Sequence, residues 1–301
     1  MKNTHLFFIT YLSLVIVILI FYYYRLLKKN KKKAFLPKQE LNRTIWLLWL
    51  QGWENAPWLS QQVLTSWKVK NPGWKIVMVT EKNLKEYVDG IDYVYKETIS
   101  PAAKSDIIRL NLLYKHGGVW ADATLLCMTP LDSWVYEAIQ PSQFWMYHGW
   151  GGGMSTEKGP ASWFIISKAK SYIITKWKEE CDHYWKEHET AHEYFWMDLL
   201  FKKLYETDKK FKRQWDLVPY RNIESYGESH SLASESMFRD DKKLKKKYDE
   251  TPPFVLKMGN KSWASKCSDL NTEECQNSNG YYAIQIALKR KNGNTHKYIV
   301  V

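Results

Sequence analysis

An uncharged apolar run near the N-terminus constrains this chain more than any other feature. The run LFFITYLSLVIVILIFYYY, from Leu6 to Tyr24, contains no charged side chain. At about 1.5 Å of rise per residue, such a helix just spans a hydrocarbon core of roughly 30 Å. A secretory signal peptide would have a shorter apolar core and a small-residue cleavage site, whereas this run ends in tyrosines. The sequence therefore predicts an N-terminal tail (1–5), a transmembrane anchor (6–24), a basic linker (25–40) and one large domain (41–301).

Positive charge is concentrated beside that run. The formal net charge is +12 at pH 7, and eight basic residues lie among the first 38 positions, which contain no acid. About +4 remains for the rest of the chain, so the basic composition gives no support for nucleic-acid binding. One lysine precedes the run and seven basic residues follow it closely. The positive-inside rule therefore predicts a single-pass membrane protein whose large domain is cytoplasmic, with lysines that attract anionic lipid headgroups.

The chain has four cysteines, none in a C-x-x-C pair or at zinc-ribbon spacing: Cys127, Cys181, Cys267 and Cys275. We expect free thiols in a reducing compartment. The alternative is a Golgi-type, lumenal or extracellular domain. In that case Cys267 could pair with Cys275, and the glycosylation sequons at Asn42 and Asn260 would matter.

Strand-like and helix-like segments alternate from residue 43 onward. RTIWLLWLQG (43–52) and GWKIVMVT (73–80) are typical of buried strands, while APWLSQQVLTSWKVKN (56–71) and EKNLKEYV (81–88) are typical of helices. Pro57 lies near the start of the first helix, where proline is tolerated. This strand, helix, strand, helix order predicts a parallel sheet covered by helices, an α/β architecture.

The next segments continue this pattern. SPAAKSDIIRLNLLYKHGG predicts a helix with Ser100 as N-cap, Pro101 at its first position and Gly117 as a left-handed stop. VWADATLL fits a strand that enters and leaves a turn, and SQFWMY and ASWFIIS predict strands on either side of the glycine-rich loop GWGGGMSTEKG. Helical periodicity runs from Lys168 to Tyr205. DDKKLKKKYDE predicts a solvated face or loop, and FVLKM one last strand.

Asp122 stands where open α/β sheets bind ligands. Gly117 and Gly118 let the backbone turn tightly and approach a ligand, and the aspartate follows the next strand. An isolated aspartate after a strand is more often a turn residue. However, Asp106 and Arg109 share one face of the preceding helix. Their default interpretation is an intrahelical ion pair, whereas beside this turn a carboxylate and a guanidinium together would grip a polyol such as a sugar.

The run SDIIRLNLLYKHGGVWADATLL resembles the signature of the capsular polysaccharide synthesis glycosyltransferases. These are relatives of the larger glycosyltransferase family 32, which includes yeast α-mannosyltransferases and is similar to the clostridial toxin glucosyltransferases. IWLLWLQGWENAP, followed by SWKVKNPGWKIVMVT, resembles the opening strand and helix of the same family. The likeness is strong over about residues 43–130 and loose elsewhere. The spacing of S-D-x-x-R from G-G-V-W-x-D-A-T is a specific signal.

The resemblance implies a GT-A fold, a Rossmann-like sheet that holds a nucleotide sugar, with a D-x-D motif that binds Mn²⁺ or Mg²⁺ and the diphosphate. Asp122 matches the first acid of that motif, and Asp106 and Arg109 match the pair that contacts the donor sugar. The third position departs from D-x-D, because Thr124 stands there, as is common in the capsular branch. A hydroxyl brings no charge to a cation, so metal binding is expected to be weaker.

The expected donor contacts are Trp49, Gln51, Gly52, Asp106, Arg109, Gly117, Gly118, Thr124, Lys257 and Lys261. A cation held by Asp122 would neutralise the departing diphosphate, with Asn260 and Ser262 as further candidate metal ligands. Lys257 and Lys261 follow the last predicted strand, and their alternative interpretation is as surface lysines.

Candidate acceptor contacts are fewer. Most of the 16 tryptophans and 20 tyrosines must be core or near-membrane residues. His148 and Trp150, next to the glycine-rich loop, are candidates for shaping the acceptor site. Asp198 lies on an otherwise apolar helix, where it either contacts an acceptor hydroxyl or is a buried, satisfied carboxylate.

One competing motif points to another class of enzyme. HETAH, residues 188–192, fits the H-E-x-x-H pattern of zinc proteases. His188 and His192 would lie one helical turn apart, with Glu189 as general base and Glu206 as a third ligand. The charged residues around the motif and the absence of any protease-like sequence argue against this interpretation.

The sequence thus predicts a membrane-anchored, cytoplasm-facing hexosyltransferase. Its expected substrates are a nucleotide-sugar donor, a UDP-sugar, and a growing, lipid-linked capsular or surface glycan, and the family is expected to retain the anomeric configuration. The alternative from another class is a catalytically inactive membrane scaffold of glycan assembly that kept the fold.

Overall fold

The computed structural model describes residues 22–23, 41–149, 154, 158–221, 231–232, 235–291 and 298–300. The chain divides into two compact units, Met1–Glu40 and Leu41–Val301, and the elements below belong to the second. The predicted tail, anchor and linker fall in the first unit, outside the described residues except for Tyr22 and Tyr23. None of the helices in the described ranges combines the length and hydropathy that a membrane span needs.

The described part of the second unit contains both strands and helices. The strands are β1 (Thr44–Leu48), β2 (Lys75–Val79), β3 (Gly118–Ala121), β4 (Leu125–Cys127), β5 (Phe144–His148), β6 (Pro160–Ser167), β7 (Ser231–Leu232), β8 (Val255–Met258), β9 (Lys289–Lys291) and β10 (Tyr298–Val300). The α-helices are α1 (Trp58–Lys70), α2 (Leu84–Tyr87), α3 (Pro101–His116), α4 (Val135–Ile139), α5 (Tyr172–Glu187), α6 (Trp196–Thr207), α7 (Lys209–Asp216), α8 (Lys242–Glu250), α9 (Asn260–Lys266), α10 (Glu273–Asn277) and α11 (Asn279–Leu288).

A five-stranded sheet in the order β2-β1-β3-β6-β5 forms the centre of the fold. β1 runs parallel to both β2 and β3, whereas β6 runs antiparallel to β3 and to β5. Every residue of β1 and of β3 is buried, as expected for interior strands of a sheet that is covered on both faces. The predicted α/β architecture is therefore confirmed, with a parallel half and an antiparallel half. The finer assignment to the GT-A fold stays a prediction.

A second sheet begins where the chain leaves the first. β4 starts three residues after Asp122 and pairs antiparallel with β8, which in turn pairs parallel with β7. The carbonyl oxygen of Thr124 accepts a hydrogen bond from the backbone amide of Met258 at 2.8 Å. Asp122 therefore lies at the junction of the two sheets, and β8 brings Lys257 next to it.

Helix α3 begins and ends as the sequence predicts. The Ser100 hydroxyl accepts a hydrogen bond from the backbone amide of Ala103, and Pro101 is the first helical residue. Gly117 follows the helix with φ of 67°, and Gly118 has φ of 99°. A Cβ atom on Gly118 would lie 2.4 Å from the carbonyl oxygen of Thr44. The double glycine is therefore needed both for its backbone angles and for the close approach of β3 to β1.

Three predicted elements differ from the structure. The helical stretch from Lys168 to Tyr205 is divided, because α5 ends at Glu187 and α6 begins at Trp196. The lysine-rich run is the helix α8 with a solvated face, in which Leu244 and Tyr248 are buried. FVLKM is not the last strand, since α9, α10 and α11 and then β9 and β10 follow it.

The cysteines divide into two pairs. Cys127 and Cys181 are buried free thiols, as expected. Cys267 and Cys275 form a disulfide with their Cα atoms 5.4 Å apart. The expectation of four free thiols is therefore wrong for the second pair, because α9 and α10 place the two side chains side by side.

Candidate functional site

A cavity of about 490 Å³ lies at the carboxyl ends of the parallel strands β1 and β3. The end of β1 and the segment after it contribute residues 48–51, and the turn after β3 contributes Asp122, Ala123 and Thr124. Helix α3 adds Asp106 and Arg109. This is the edge where open α/β sheets bind their ligands.

Asp122 is held by three donors. Its Oδ1 accepts hydrogen bonds from Trp120 Nε1 at 3.0 Å and Arg109 Nη2 at 3.2 Å, and its Oδ2 accepts one from Lys257 Nζ at 2.6 Å. Burial raises the pKa of the Asp122 carboxyl, but the charges of Lys257 and Arg109 outweigh that effect and hold the pKa below its ordinary value. Asp122 is therefore an anion at neutral pH, and 22% of its side chain is exposed.

Arg109 connects the two aspartates of the motif. Its side chain is only 7% exposed, and it forms ion pairs with Asp106 Oδ1 at 3.1 Å and Asp122 Oδ1 at 3.2 Å. Nη1 also donates to the carbonyl oxygen and the hydroxyl of Ser162, and Nη2 donates to the hydroxyl of Ser105. The default interpretation, an intrahelical ion pair, is thus present, and the same guanidinium also fixes the strand-end carboxylate.

The pKa values of two further carboxyl groups in the cavity are raised, in contrast to that of Asp122. Burial raises the pKa of Asp106 to about 6, with the charge of Arg109 opposing the shift. Asp198, on α6, is 4% exposed, and burial together with the charge of Asp106 raises its pKa to about 8. Among the described residues, Asp198 Oδ1 has no hydrogen-bond partner. At pH 7 Asp198 is therefore mostly protonated and can donate a hydrogen bond as well as accept one.

The cavity brings together most of the residues predicted to contact the donor. Those that line it are Trp49, Gln51, Asp106, Arg109, Asp122, Thr124 and Lys257. Those outside its lining are Gly52, Gly117, Gly118, Asn260, Lys261 and Ser262. The two glycines after α3 act through the backbone. The carbonyl oxygen of Gly117 accepts a hydrogen bond from Trp46 Nε1, and Gly118 starts β3, which Asp122 directly follows.

Asn260, Lys261 and Ser262 belong to α9, which turns away from the cavity after β8. The Asn260 side chain donates to the hydroxyl of Ser60 on α1 at 3.1 Å. Their roles as metal ligands or phosphate contacts stay predictions, and the cavity lining adds no support for them.

Of the two predicted acceptor residues that the structure describes, Asp198 lines the cavity and His148 does not. His148 is buried at the end of β5, where its ring stacks on Trp215 at 4.3 Å. Burial, with a smaller effect of the Lys158 charge, lowers the pKa of His148 to about 4. Trp150 lies outside the described residues.

The zinc-protease geometry is absent at residues 188–192. Helix α5 ends at Glu187, and His188 has φ of −129° and ψ of 138°, so the two histidines are not one helical turn apart. The His188 ring stacks on Tyr184, and Glu189 pairs with Lys96. Within the described ranges, no group of three or more His, Cys, Asp or Glu side chains is arranged to hold a metal ion. The helical arrangement that the alternative H-E-x-x-H interpretation requires is therefore absent from these residues, in agreement with the argument against it.

A divalent cation fits Asp122 only together with a phosphorylated ligand. Mg²⁺ is often held by one or two carboxylates plus substrate phosphates, and Asp122 supplies one such carboxylate at the cavity. However, Lys257 Nζ already lies 2.6 Å from Oδ2. Because the ammonium and the cation would repel each other there, Lys257 must move aside when Asp122 takes a metal.

The sequence analysis missed part of the cavity wall. Tyr194, Phe195 and Met197 line the cavity beside Asp198, and Ser162 and Trp163 of β6 line it from the central sheet. The sequence feature that could have revealed this wall is the segment EYFWMD, in which three aromatic residues and a methionine precede Asp198.

The sequence matches the family model described as "Capsular polysaccharide synthesis protein" over residues 14–274. The chain belongs to this family. It is 25% identical over 158 residues to "Glycosyltransferase afumC" of Aspergillus fumigatus, which covers 48% of this chain and 39% of that protein. It is 26% identical over 112 residues to HOC1 of Saccharomyces cerevisiae, and this alignment covers 35% of this chain and 28% of that protein. This family member therefore spans less than half the length of either relative.

Among solved structures, the chain aligns with "PaToxG Glycosyltransferase" at a TM-score of 0.40 and 14% identity, over 73% of this chain and 90% of that one. This likeness is too low to carry an argument about the family member's fold or activity.

Proposed function

We propose that this chain is a glycosyltransferase that moves a sugar from a nucleotide-sugar donor to a glycan acceptor. The observation that carries the proposal is the cavity in which Asp122 lies between Arg109 and Lys257 with Asp106 beside them. Membership of the capsular polysaccharide synthesis family and the similarity to afumC support it.

The charges in the cavity suit a nucleoside diphosphate leaving group. Breaking the bond between sugar and phosphate leaves negative charge on the diphosphate, which positioned cations stabilise. Lys257 has three donors, and an ammonium group displaced from Asp122 by the cation can donate to a phosphate oxygen of the same ligand. Both terminal nitrogens of Arg109 are engaged by side chains and by a carbonyl, so its role is to hold Asp106 and Asp122 in place.

Asp106 is suited to the sugar part of the donor. Its carboxylate is oriented by Arg109 at 3.1 Å and lines the cavity. A carboxylate with remaining lone pairs accepts hydrogen bonds from vicinal hydroxyls, which gives orientation and specificity to a sugar. Thr124 and Gln51 add neutral polar groups to the same wall.

Mn²⁺ or Mg²⁺ is the proposed cofactor. Asp122 would hold it, with the diphosphate supplying further oxygen ligands. When bound, such a cation neutralises charge that develops on the diphosphate.

The finer features of the proposal rest on the family resemblance. They are a hexose as the transferred sugar, a UDP-sugar as donor, a lipid-linked capsular or surface glycan as acceptor, and retention of anomeric configuration. The predicted single-pass anchor would keep the enzyme at a membrane, with the large domain on the cytoplasmic side by the charge rule.

The test uses the full-length chain, purified in detergent, with a panel of nucleotide sugars and with Mn²⁺, Mg²⁺ or a chelator. We expect release of nucleoside diphosphate from one donor, lowered on the order of 100-fold or more in Asp122→Asn. Asp132→Asn is the matched control, because Asp132 is 52% exposed, pairs with Arg43 and does not line the cavity.

No turnover of any donor, together with unchanged glycan synthesis in cells that carry Asp122→Asn, would contradict the enzyme proposal. That result would favour the scaffold alternative.

A further inference from the structure

Residues 188–195, between α5 and α6, carry an exposed aromatic side chain to the edge of the cavity. Tyr194 is 76% exposed and lines the cavity, and Phe195 follows it with the two rings perpendicular at 5.0 Å. The first turn of α6 then adds Met197 and Asp198 to the same wall. A large exposed ring at a ligand cavity leaves apolar surface in water that a ligand can cover.

The segment is anchored from behind by Tyr184 of α5. The Tyr184 hydroxyl accepts a hydrogen bond from the backbone amide of His192 at 2.9 Å, and its carbonyl oxygen accepts one from His188 Nδ1 at 2.7 Å. The Tyr184 ring packs between the rings of His188, at 4.1 Å, and Trp196, at 5.1 Å. The H-E-x-x-H residues thus fix the path of the segment, which holds Tyr194 at the cavity.

The part of the segment that lines the cavity favours a ligand without phosphate. Tyr194, Phe195, Met197 and Asp198 line the cavity, and this group contains no lysine or arginine. The cationic side chains that line the cavity, Arg109 and Lys257, come from α3 and β8. A diphosphate therefore belongs to the wall formed by α3 and β8, and a sugar without phosphate fits the wall formed by Tyr194 and α6.

We propose that Tyr194 and Asp198 form the acceptor subsite, in which the ring of Tyr194 covers the apolar face of a pyranose and Asp198 binds one of its hydroxyls. A pyranose has C–H groups on its faces and hydroxyls around its edge, so it needs one flat apolar contact and one polar contact at the side. Asp198 supplies the polar contact, because it lines the cavity and its buried Oδ1 has no partner among the described residues. This inference rests on the proposed glycosyltransferase function and adds the side from which the acceptor enters.

The test compares donor and acceptor kinetics of the full-length chain in detergent. Methyl glucopyranosides, galactopyranosides and mannopyranosides in both anomeric forms serve as acceptor probes, and nucleoside diphosphate release is measured with and without them. We expect Tyr194→Ala to raise the acceptor KM at least fivefold while the donor KM changes less than twofold, and Tyr194→Phe to restore the wild-type acceptor KM because it keeps the ring. Tyr220→Ala is the matched control, since Tyr220 is 56% exposed but does not line the cavity.

Two results would overturn the inference. An unchanged acceptor KM in Tyr194→Ala would remove the stacking role, and a rise in the donor KM alone would place the ring against the nucleotide. If wild-type protein turns over no donor, the proposed function fails separately. Saturation-transfer NMR with the same methyl glycosides then decides the subsite without turnover: we expect transfer to the pyranose C–H protons in wild type and its loss in Tyr194→Ala, whereas equal transfer in both would refute it.

Discussion

Lys257 and Arg109 each donate to a different oxygen of Asp122, so this carboxylate already has two cations as neighbours. Two unit charges 4 Å apart interact by about 4 kcal/mol at an effective dielectric of 20. We therefore predict that Mn²⁺ alone binds weakly to the protein and that Lys257→Met raises its affinity at least tenfold. Electron paramagnetic resonance of free Mn²⁺ measures this without any turnover.

Lys261→Met is the control for that substitution, because Lys261 does not line the cavity. Equal Mn²⁺ affinity of wild type and Lys257→Met would show that the ammonium group does not compete with the cation.

Asp198 gives the folded state a specific pH dependence. Its pKa is about 8 in the folded protein against about 3.9 in an unfolded chain, so the folded state holds an extra proton between these values. The contribution to stability is complete below the unfolded pKa and is lost as the pH rises through the folded pKa. We predict that the free energy of unfolding of Asp198→Asn, relative to wild type, rises by a few kcal/mol between pH 5 and pH 9. Urea titrations at both pH values measure it, and parallel pH profiles would refute it.

Single residues differ in how far the sequence reveals them. Asp106, Arg109 and Asp122 are recognisable because their motif is local, with all three on one helix and the next strand end. Tyr194 is not recognisable in this way, because nothing within its segment shows that it lies at the cavity together with residues of α3 and β8. The position of His148 beside glycines in the sequence predicts an accessible side chain. In the structure the ring of Trp215, far along the chain, stacks on it.

At the scale of elements, the turn between α3 and β3 determines where the cavity lies, because it sets α3 and the end of β3 beside each other. A Cβ atom on Gly118 would lie 2.4 Å from Thr44 O, whereas a Cβ atom on Gly90, whose φ is 71°, would have no neighbour within 4 Å. A positive φ alone costs an alanine about 1 kcal/mol, and the clash adds to this cost. We predict that Gly118→Ala lowers the free energy of unfolding by at least about 3 kcal/mol and Gly90→Ala by about 1 kcal/mol. Denaturant unfolding of both variants checks this, and equal losses would contradict the close-approach argument.

The elements that carry their own end signals were predictable. The capping serine, the first proline and the double glycine define α3 within its own sequence. The break between α5 and α6 has no proline or glycine to mark it. It depends on tertiary packing of Tyr184 against Trp196 and His188. The short helices α10 and α11 have N-caps, Thr272 and Ser278, but no clear periodic pattern: α10 is short and polar, and α11 is apolar at most of its positions.

At the scale of the whole molecule, two features give opposite predictions of compartment. The basic residues after the apolar run favour a cytoplasmic domain, whereas the pairing of Cys267 with Cys275 favours an oxidising compartment. If the proposed cytoplasmic orientation holds, we predict that all four cysteines react with a maleimide polymer after acid quenching and denaturation of whole cells. Gel shifts count the reacted thiols.

Only two reacted thiols would place the domain in an oxidising compartment. A Cys267→Ser, Cys275→Ser double variant is the control, since it leaves Cys127 and Cys181 and must give two in either case.

The α/β class followed from the order of strands and helices in the first half of the chain, where β2 and β3 both pair parallel with β1. The antiparallel half of the central sheet and the second sheet could not be predicted from that order. In the second sheet, for example, β4 pairs with β8, which lies more than a hundred residues later. Lys257 and Asp122, which form the centre of the cavity, are 135 positions apart.

That separation has a consequence for synthesis on the ribosome. Arg109 and Asp122 leave the exit tunnel early, and β1, β2 and β3 can pair while the rest is still being translated. Lys257 and β8 follow only after a further 135 residues. A nascent chain therefore contains the aspartate and its arginine long before it contains the lysine, and it cannot complete the cavity until translation has passed β8.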